Sequence, residues 1–454
     1  MTTTRLVSTL IGALLSTNLF TTAARAQAPE AAAAPAAEAP PATIAAADTA
    51  APDQPASDAA EPPAEMTFGR RTARGGAPTA PPPAASAPPS APSPAARPGG
   101  RARTMEDISE AVTEEMTIRN MRWRYSLNFF GDISLGAAKP EGAEHQFGFG
   151  LGAQDLLIRG ELSNQITATT EIALEPGDAG VTVDIERFHV RWQASSFFVE
   201  AGRTHTAFGY WNNAYHHGRW LQPTIARPRW VAFEDDGGIL PVHWVGAGVG
   251  ARLPAGSSTV ELRATVGNGR GHIVDDVRNA HDYQDMKAFH ASAEVVGIGV
   301  PELRAGVAFV YDRIPPTDAR PLLPAGVSMG EYIGGAHVAY VNVPLLFIGE
   351  GYWVAHTALG HQFNTYGGFV LAGYSFGRFT PYVEFERIAS KGEDPFFRRS
   401  DMGEVDSFDS SKGIVGVRLD LTDWTALKAE YRQTRETDKD LTTYEGLVNW
   451  SWGF

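Results

Sequence analysis

The chain ends in Tyr444-Glu445-Gly446-Leu447-Val448-Asn449-Trp450-Ser451-Trp452-Gly453-Phe454, and the reading of this stretch decides the fold. Tyr444, Gly446, Val448, Trp450, Trp452 and Phe454 share one face of an extended strand, with Glu445, Leu447, Asn449, Ser451 and Gly453 on the other. The division follows from the period of two along a strand. Trp and Tyr on an otherwise apolar face suit a lipid–water boundary, where part of the ring is dry and part stays wet. Upstream, Trp123, Tyr125, Leu127, Phe129, Gly131, Ile133 and Leu135 alternate in the same way with Arg124, Ser126, Asn128, Phe130, Asp132 and Ser134. The pattern recurs at Val260, Leu262, Ala264 and Val266, and at Leu303, Ala305, Val307, Phe309 and Tyr311. One face for lipid and one for water predicts a transmembrane antiparallel β-barrel over residues 122–454.

The alternating aromatics Trp450, Trp452 and Phe454 resemble the C-terminal assembly signal of outer-membrane barrels, which implies the barrel assembly machinery and outer-membrane lipid as partners. A closed barrel pairs its last strand with its first, so Trp123 to Leu135 is expected beside the terminal strand. Tight turns are expected at Ser163–Gln165, Ala194–Ser196, Pro254–Ser257, Asn342–Pro344 and Leu421–Asp423. They alternate with longer loops near Lys139–Glu144, Thr204–Leu240, Asn268–Asp285, Ile314–Ser328 and Ser390–Ser410. Short turns at one end and long loops at the other, with roughly 330 residues at about twenty per strand and connection, give about sixteen strands.

Before the barrel the composition changes twice. Met1 and Arg5, an apolar run from Leu6 to Phe20 and the small-x-small step Ala24-Arg25-Ala26 read as a signal peptide over residues 1–26. Residues 27–103, dominated by Ala, Pro, Ser and Gly, have too little to bury to offset their ordering entropy, and read as a disordered periplasmic linker. Over residues 104–121, Thr104 can cap, Glu106 and Asp107 suit a helix start, and Met105, Ile108, Val112 and Met116 share a face; a short amphipathic helix is expected. The 454 residues contain no cysteine, which excludes disulfides and thiol chemistry. A formal net charge of −14 argues against nucleic acid as a partner.

The polar strand faces supply a pore wall of both signs: Arg187, Arg191, Arg263, Arg304 and Arg418 against Glu171, Glu384 and Glu386, with Arg159, Arg252, Lys428, Glu200, Glu350 and Glu430 beside them. The longest loop, Thr204 to Leu240, follows the fifth strand. In or beside it, Tyr210, Trp211, Tyr215 and Trp220 could serve a constriction as an aromatic lining or packing surface, with Arg203, Arg219, Arg227 and Arg229 facing Glu234, Asp235 and Asp236 to set a transverse field. Four of the twelve histidines, His205, His216, His217 and His243, fall in or beside it, and with the acids offer imidazole and carboxylate ligands for a divalent metal. Simple packing of these groups against backbone carbonyls is the third reading. A hydrolase is disfavoured: His290, Ser292 and Glu294 share a strand face, but i, i+2 neighbours stand about 7 Å apart. No cofactor is expected.

Gly160-Glu161-Leu162, Glu171-Ile172-Ala173, Phe198-Val199-Glu200-Ala201-Gly202-Arg203 and Phe208-Gly209 follow one another in an order that resembles the sixteen-stranded porins and, more loosely, the phosphate-selective porin family. That resemblance implies passive diffusion of small hydrophilic solutes, an inward-folded third loop and a homotrimer. The loop's His-His and Glu-Asp-Asp-Gly-Gly elements depart from the lysine-rich or arginine-ladder features of a phosphate selector. A substrate-specific or metal-binding receptor is the alternative.

Overall fold

The computed structural model describes residues 114–118, 121–142, 144–177, 180–216, 218–233, 237–271, 286–316, 323–391, 394–397, 409–437 and 439–454. The expected signal peptide and linker lie outside them.

The described chain is almost all strand: β1 Glu114–Ile118, β2 Met121–Pro140, β3 Gln146–Leu151, β4 Gln154–Ser163, β5 Ile166–Gly177, β6 Gly180–Ala194, β7 Phe197–His205, β8 His243–Ala255, β9 Ser258–Asn268, β10 Ala288–Val296, β11 Leu303–Ile314, β12 Met329–Asn342, β13 Leu345–Ala358, β14 His361–Tyr374, β15 Phe379–Lys391, β16 Ser410–Thr422, β17 Thr425–Glu436 and β18 Leu441–Gly453. β3 and β4 pair with successive parts of β2 and form one barrel strand, broken at Gly152-Ala153. Counted so, β2 to β18 make a sixteen-stranded antiparallel barrel. It closes where β18 pairs with β2, Trp450 opposite Ile133 and Trp452 opposite Gly131, as the terminal alternation predicts. Closure leaves no strand edge to face lipid with unpaired backbone groups.

The faces divide as expected. Leu127, Phe149, Val190, Val415 and Trp450 point outward and are exposed, while Asn128, Glu171, Glu200, Asn449 and Ser451 point inward and are buried. The terminal Phe454 exchanges backbone hydrogen bonds with Phe129: its N–H donates to the Phe129 carbonyl at 3.0 Å and its carbonyl accepts at 2.6 Å.

Three expectations need correction. The helix over 104–121 lies outside the described residues up to 113, but Glu114–Ile118 and Met121 are strand. β18 covers β2 only from Phe130 onward, and β1 folds back onto the open remainder of that edge, Met116 opposite Trp123. Ladder bonds to a waiting edge outweigh the weak local preference of so short a helix. Lys139–Glu144 is not a long loop, because β2 runs on to Pro140. Finally, β13 and β14 join at the long-loop end through only Leu359-Gly360, both at positive φ (52° and 79°), the geometry of a two-residue hairpin turn.

Candidate functional site

Between β7 and β8 the chain leaves the wall for residues 206–242 and crosses the barrel interior. Its route is set by hydrogen bonds to inward-facing side chains all round. Gly209 (φ 62°) turns the chain beside Glu350 and Tyr352, where a Cβ would collide with both. The backbone N–H groups of Tyr210 and Trp211 then donate to Glu350 Oε1 of β13 at 2.8 and 2.7 Å. That carboxylate accepts the N–H groups that begin the short helix α1, Trp211–Ala214, where the helix itself supplies no acceptor. Further on, Gly218 N–H donates to Asp155 of β4 (3.0 Å) and Ile225 N–H to Glu430 of β17 (2.6 Å). Lys428 of β17 donates to the Thr224 carbonyl (3.0 Å), Arg418 of β16 to those of Trp220 and Gln222 (2.6 and 3.0 Å), and the Trp230 indole to the Arg387 carbonyl of β15 (3.0 Å). The segment begins beside β7 and β8, and these partners include the strands farthest from them round the ring.

Most of its aromatics pack inside the barrel, and Tyr210 also borders the cavity beside the segment. Trp211, Tyr215 and Trp230 are among the largest fully buried side chains of the protein, and Trp220 is 3 % exposed. Tyr210 is buried beneath Arg304, whose guanidinium lies 5.3 Å from the ring centre. Arg219, Arg227 and Arg229 hold the segment in place, while Arg203 lies on β7 and bonds to β6 within the wall. Arg203 Nε donates to the Glu186 carbonyl (3.2 Å), Arg219 pairs with Asp132 (3.1 Å), Arg227 donates to the Val231 carbonyl and to Asn212 Oδ1 (2.6 and 3.0 Å), and the Arg229 N–H donates to Glu386. Glu234, Asp235 and Asp236, expected as their counter-charges, lie outside the described residues, as does His217.

A cavity of about 550 Å³ remains on the side of β4 to β12, with Gly209, Tyr210 and Asn213 of the crossing segment among its lining. Six arginines border it: Arg159, Arg187, Arg191, Arg252, Arg263 and Arg304. Each has a glutamate. Arg187 pairs with Glu171 (2.6 Å), Arg191 and Arg263 share Glu200, Arg252 faces Glu261 (3.4 Å), Arg304 faces Glu294 (3.6 Å), and Arg159 shares Glu161 with Arg124 (3.5 Å from Arg159). Glu386 pairs with Lys412 (3.3 Å) and Arg418 with Asp420 (2.8 Å), while Glu384 is buried on β15. His290 packs against the rings of Phe208 and Trp244, and Glu294 is held by His337 (2.9 Å).

At the root of the crossing segment three of the four singled-out histidines meet. His205 ends β7, His243 opens β8 directly opposite it, and His216 follows α1. One ring nitrogen from each lies within 4.8 Å of the others, and all three side chains are buried. His216 Nε2 is 2.9 Å from His243 Nε2, and the His205 ring stacks on that of His216 with centroids 3.4 Å apart. Glu186 of β6, which the sequence reading missed, contacts His243 Nε2 and lies 3.9 Å from His216 Nε2. Its only sequence signal is the strand period, and that fails here: β6 carries a bulge opposite Glu171/Ile172, beside Glu186.

No sequence profile of a known protein family matches the chain, and no curated protein sequence does. Solved structures do match in shape. An outer-membrane channel of Acinetobacter baumannii, DcaP, is 9 % identical with a TM-score of 0.51, over 75 % of this chain and 99 % of its own. Salmonella typhi OmpF, solved with daunomycin, is 10 % identical with a TM-score of 0.51, over 75 % and 100 %. An anion-selective porin from Comamonas acidovorans is 13 % identical with a TM-score of 0.50, over 73 % and 100 %. This chain therefore folds as a sixteen-stranded transmembrane β-barrel of the kind found in outer-membrane porins.

Proposed function

We propose that the protein is an outer-membrane porin that lets small hydrophilic solutes or ions diffuse passively through the cavity beside the crossing segment, which narrows the pore. The observation that carries this reading is the asymmetry of the interior: the crossing segment takes most of its anchors from β13, β15, β16 and β17, with Asp132 of β2 and Asp155 of β4 besides, while the cavity remains against the wall from β4 to β12. A segment held at several points round the wall works as a fixed restriction. Purified protein in a planar lipid bilayer is expected to give stepwise conductance, and liposomes carrying it to swell in small sugars but not in large ones. A folded barrel that does neither would remove the reading.

The charge of the open side favours anions weakly. Six lining arginines face five glutamates once the partners Glu161 and Glu171 are included. An excess of one charge in a wet pore biases passage without excluding either sign. On the porin pattern the barrel assembles as a homotrimer in outer-membrane lipid, delivered by the barrel assembly machinery that reads Trp450, Trp452 and Phe454, and carries out no catalysis.

A further inference from the structure

We propose that His205, His216 and His243, with Glu186 as fourth donor, form a divalent-metal site of the zinc type that staples the crossing segment to the barrel wall. The inference stands apart from the diffusion reading, since it concerns binding and not conductance.

The donor set comes first. Three imidazoles and one carboxylate suit zinc and neighbouring first-row divalent ions. Metal–ligand bonds of about 2.0–2.2 Å at tetrahedral angles put the donor atoms about 3.3–3.5 Å apart. Here the His216 and His243 nitrogens are 2.9 Å apart, His216 and Glu186 3.9 Å, and all three histidine donors lie within 4.8 Å of one another. Bringing the donors to that spacing takes shifts of about an ångström in His216, His243 and Glu186 and, for His205, whose ring stacks on that of His216, a rotation out of the stack that turns its nitrogen toward the ion.

The hydrogen bonds behind His216 present it as a ligand. Asn212 Nδ2 donates to the Thr206 carbonyl (3.0 Å), and Arg227 donates to Asn212 Oδ1 (3.0 Å), which together fix the amide with its oxygen toward His216. His216 Nδ1, 2.8 Å from that oxygen, must then carry the proton. In the neutral ring this leaves Nε2 with its lone pair, the state and the outer support typical of a metal-bound histidine.

Protons alone serve the cluster poorly. His243 Nε2 has one N–H at most, and both His216 Nε2 and the Glu186 carboxylate converge on it. If His216 is instead doubly protonated and donates to His243, the Glu186 oxygen faces the His243 lone pair. A cation among the donors satisfies all of them at once. An entry path exists from both sides, because His205 borders the larger cavity and His216 a second one of about 240 Å³. Phe233 stacks on His243 and packs edge-on against His216, shielding the cluster from bulk water.

The four donors belong to β6, the end of β7, the segment after α1 and the start of β8, so one ion would join both roots of the crossing segment to its interior. The test is zinc titration of the full barrel in detergent, followed by calorimetry, with cobalt(II) absorption as a second readout. Wild type is expected to bind one equivalent and to give the intense visible bands of tetrahedral cobalt. His216→Ala/His243→Ala should bind none, and the exposed-surface change His361→Ala should bind as wild type. Should the double variant fail to fold, Asn212→Ala decides, with affinity expected to fall on the order of 10- to 100-fold. Absence of a stoichiometric wild-type site, octahedral cobalt only, or unchanged binding in the double variant or in Asn212→Ala would overturn the proposal.

Discussion

Replacing Glu350 by alanine tests whether the crossing segment is a fixed restriction. Glu350 Oε1 accepts both N–H groups that start α1, and its other oxygen accepts the Tyr352 hydroxyl. Alanine leaves the Tyr210 and Trp211 N–H groups, both buried, without that acceptor. A buried donor left unpaired costs about 1–3 kcal/mol, so the two together lose about 2–6 kcal/mol. The segment lies beside a cavity that water can enter, and the remaining bonds to Asp155, Glu430, Lys428 and Arg418 persist. The lower end, about 2 kcal/mol, is therefore the expected magnitude. At about 1.4 kcal/mol per tenfold this raises the detached population of this part of the segment roughly thirtyfold. In single-channel recordings the variant should show excess open-channel noise and larger-conductance excursions, and swelling assays should admit larger sugars. Glu350→Gln keeps a carbonyl oxygen for both N–H groups and should behave close to wild type. If Glu350→Ala leaves current, noise and size cutoff unchanged while the barrel is folded, the segment does not restrict passage and the argument from its anchors fails.

Deleting Phe454 removes a residue that trades two backbone hydrogen bonds with Phe129 and whose ring lies 5.7 Å from that of Phe129, at the barrel seam; the yield of heat-modifiable folded barrel in the outer membrane should fall severalfold, and unchanged yield would show that the seam does not need it. Reversal potentials across a salt gradient should carry the sign of weak anion preference. Glu200→Gln, which strips Arg191 and Arg263 of their shared carboxylate, should strengthen that preference, and a shift toward cations would contradict the charge count. Added zinc at a hundredfold excess over its dissociation constant should raise the unfolding free energy of the wild type by about 2.7 kcal/mol, measured as a higher thermal transition, and leave His216→Ala/His243→Ala unmoved.

The sequence by itself determined the barrel. Alternation from Trp123 to Leu135 and from Tyr444 to Phe454 names the two strands that close it, because a period of two fixes which face each residue takes and lipid allows no open edge. It also located the third loop and picked out His205, His216 and His243. What it left open was everything that depends on chain segments far apart in sequence. Met116 and its neighbours carry a helical pattern, yet they pair with β2 because β18 leaves that edge bare, a fact of strand length and register. Trp211 and Tyr215 offered an aromatic lining or a packing surface, and they are core because Glu350, some 140 positions later, turns α1 into the barrel interior. Glu186 escaped notice since a bulge shifts its strand's alternation. Periodicity acts within a strand and is legible there; the convergence of His205, His216 and His243 with Glu186 arises only when a loop is drawn across a closed ring, and that required the tertiary structure.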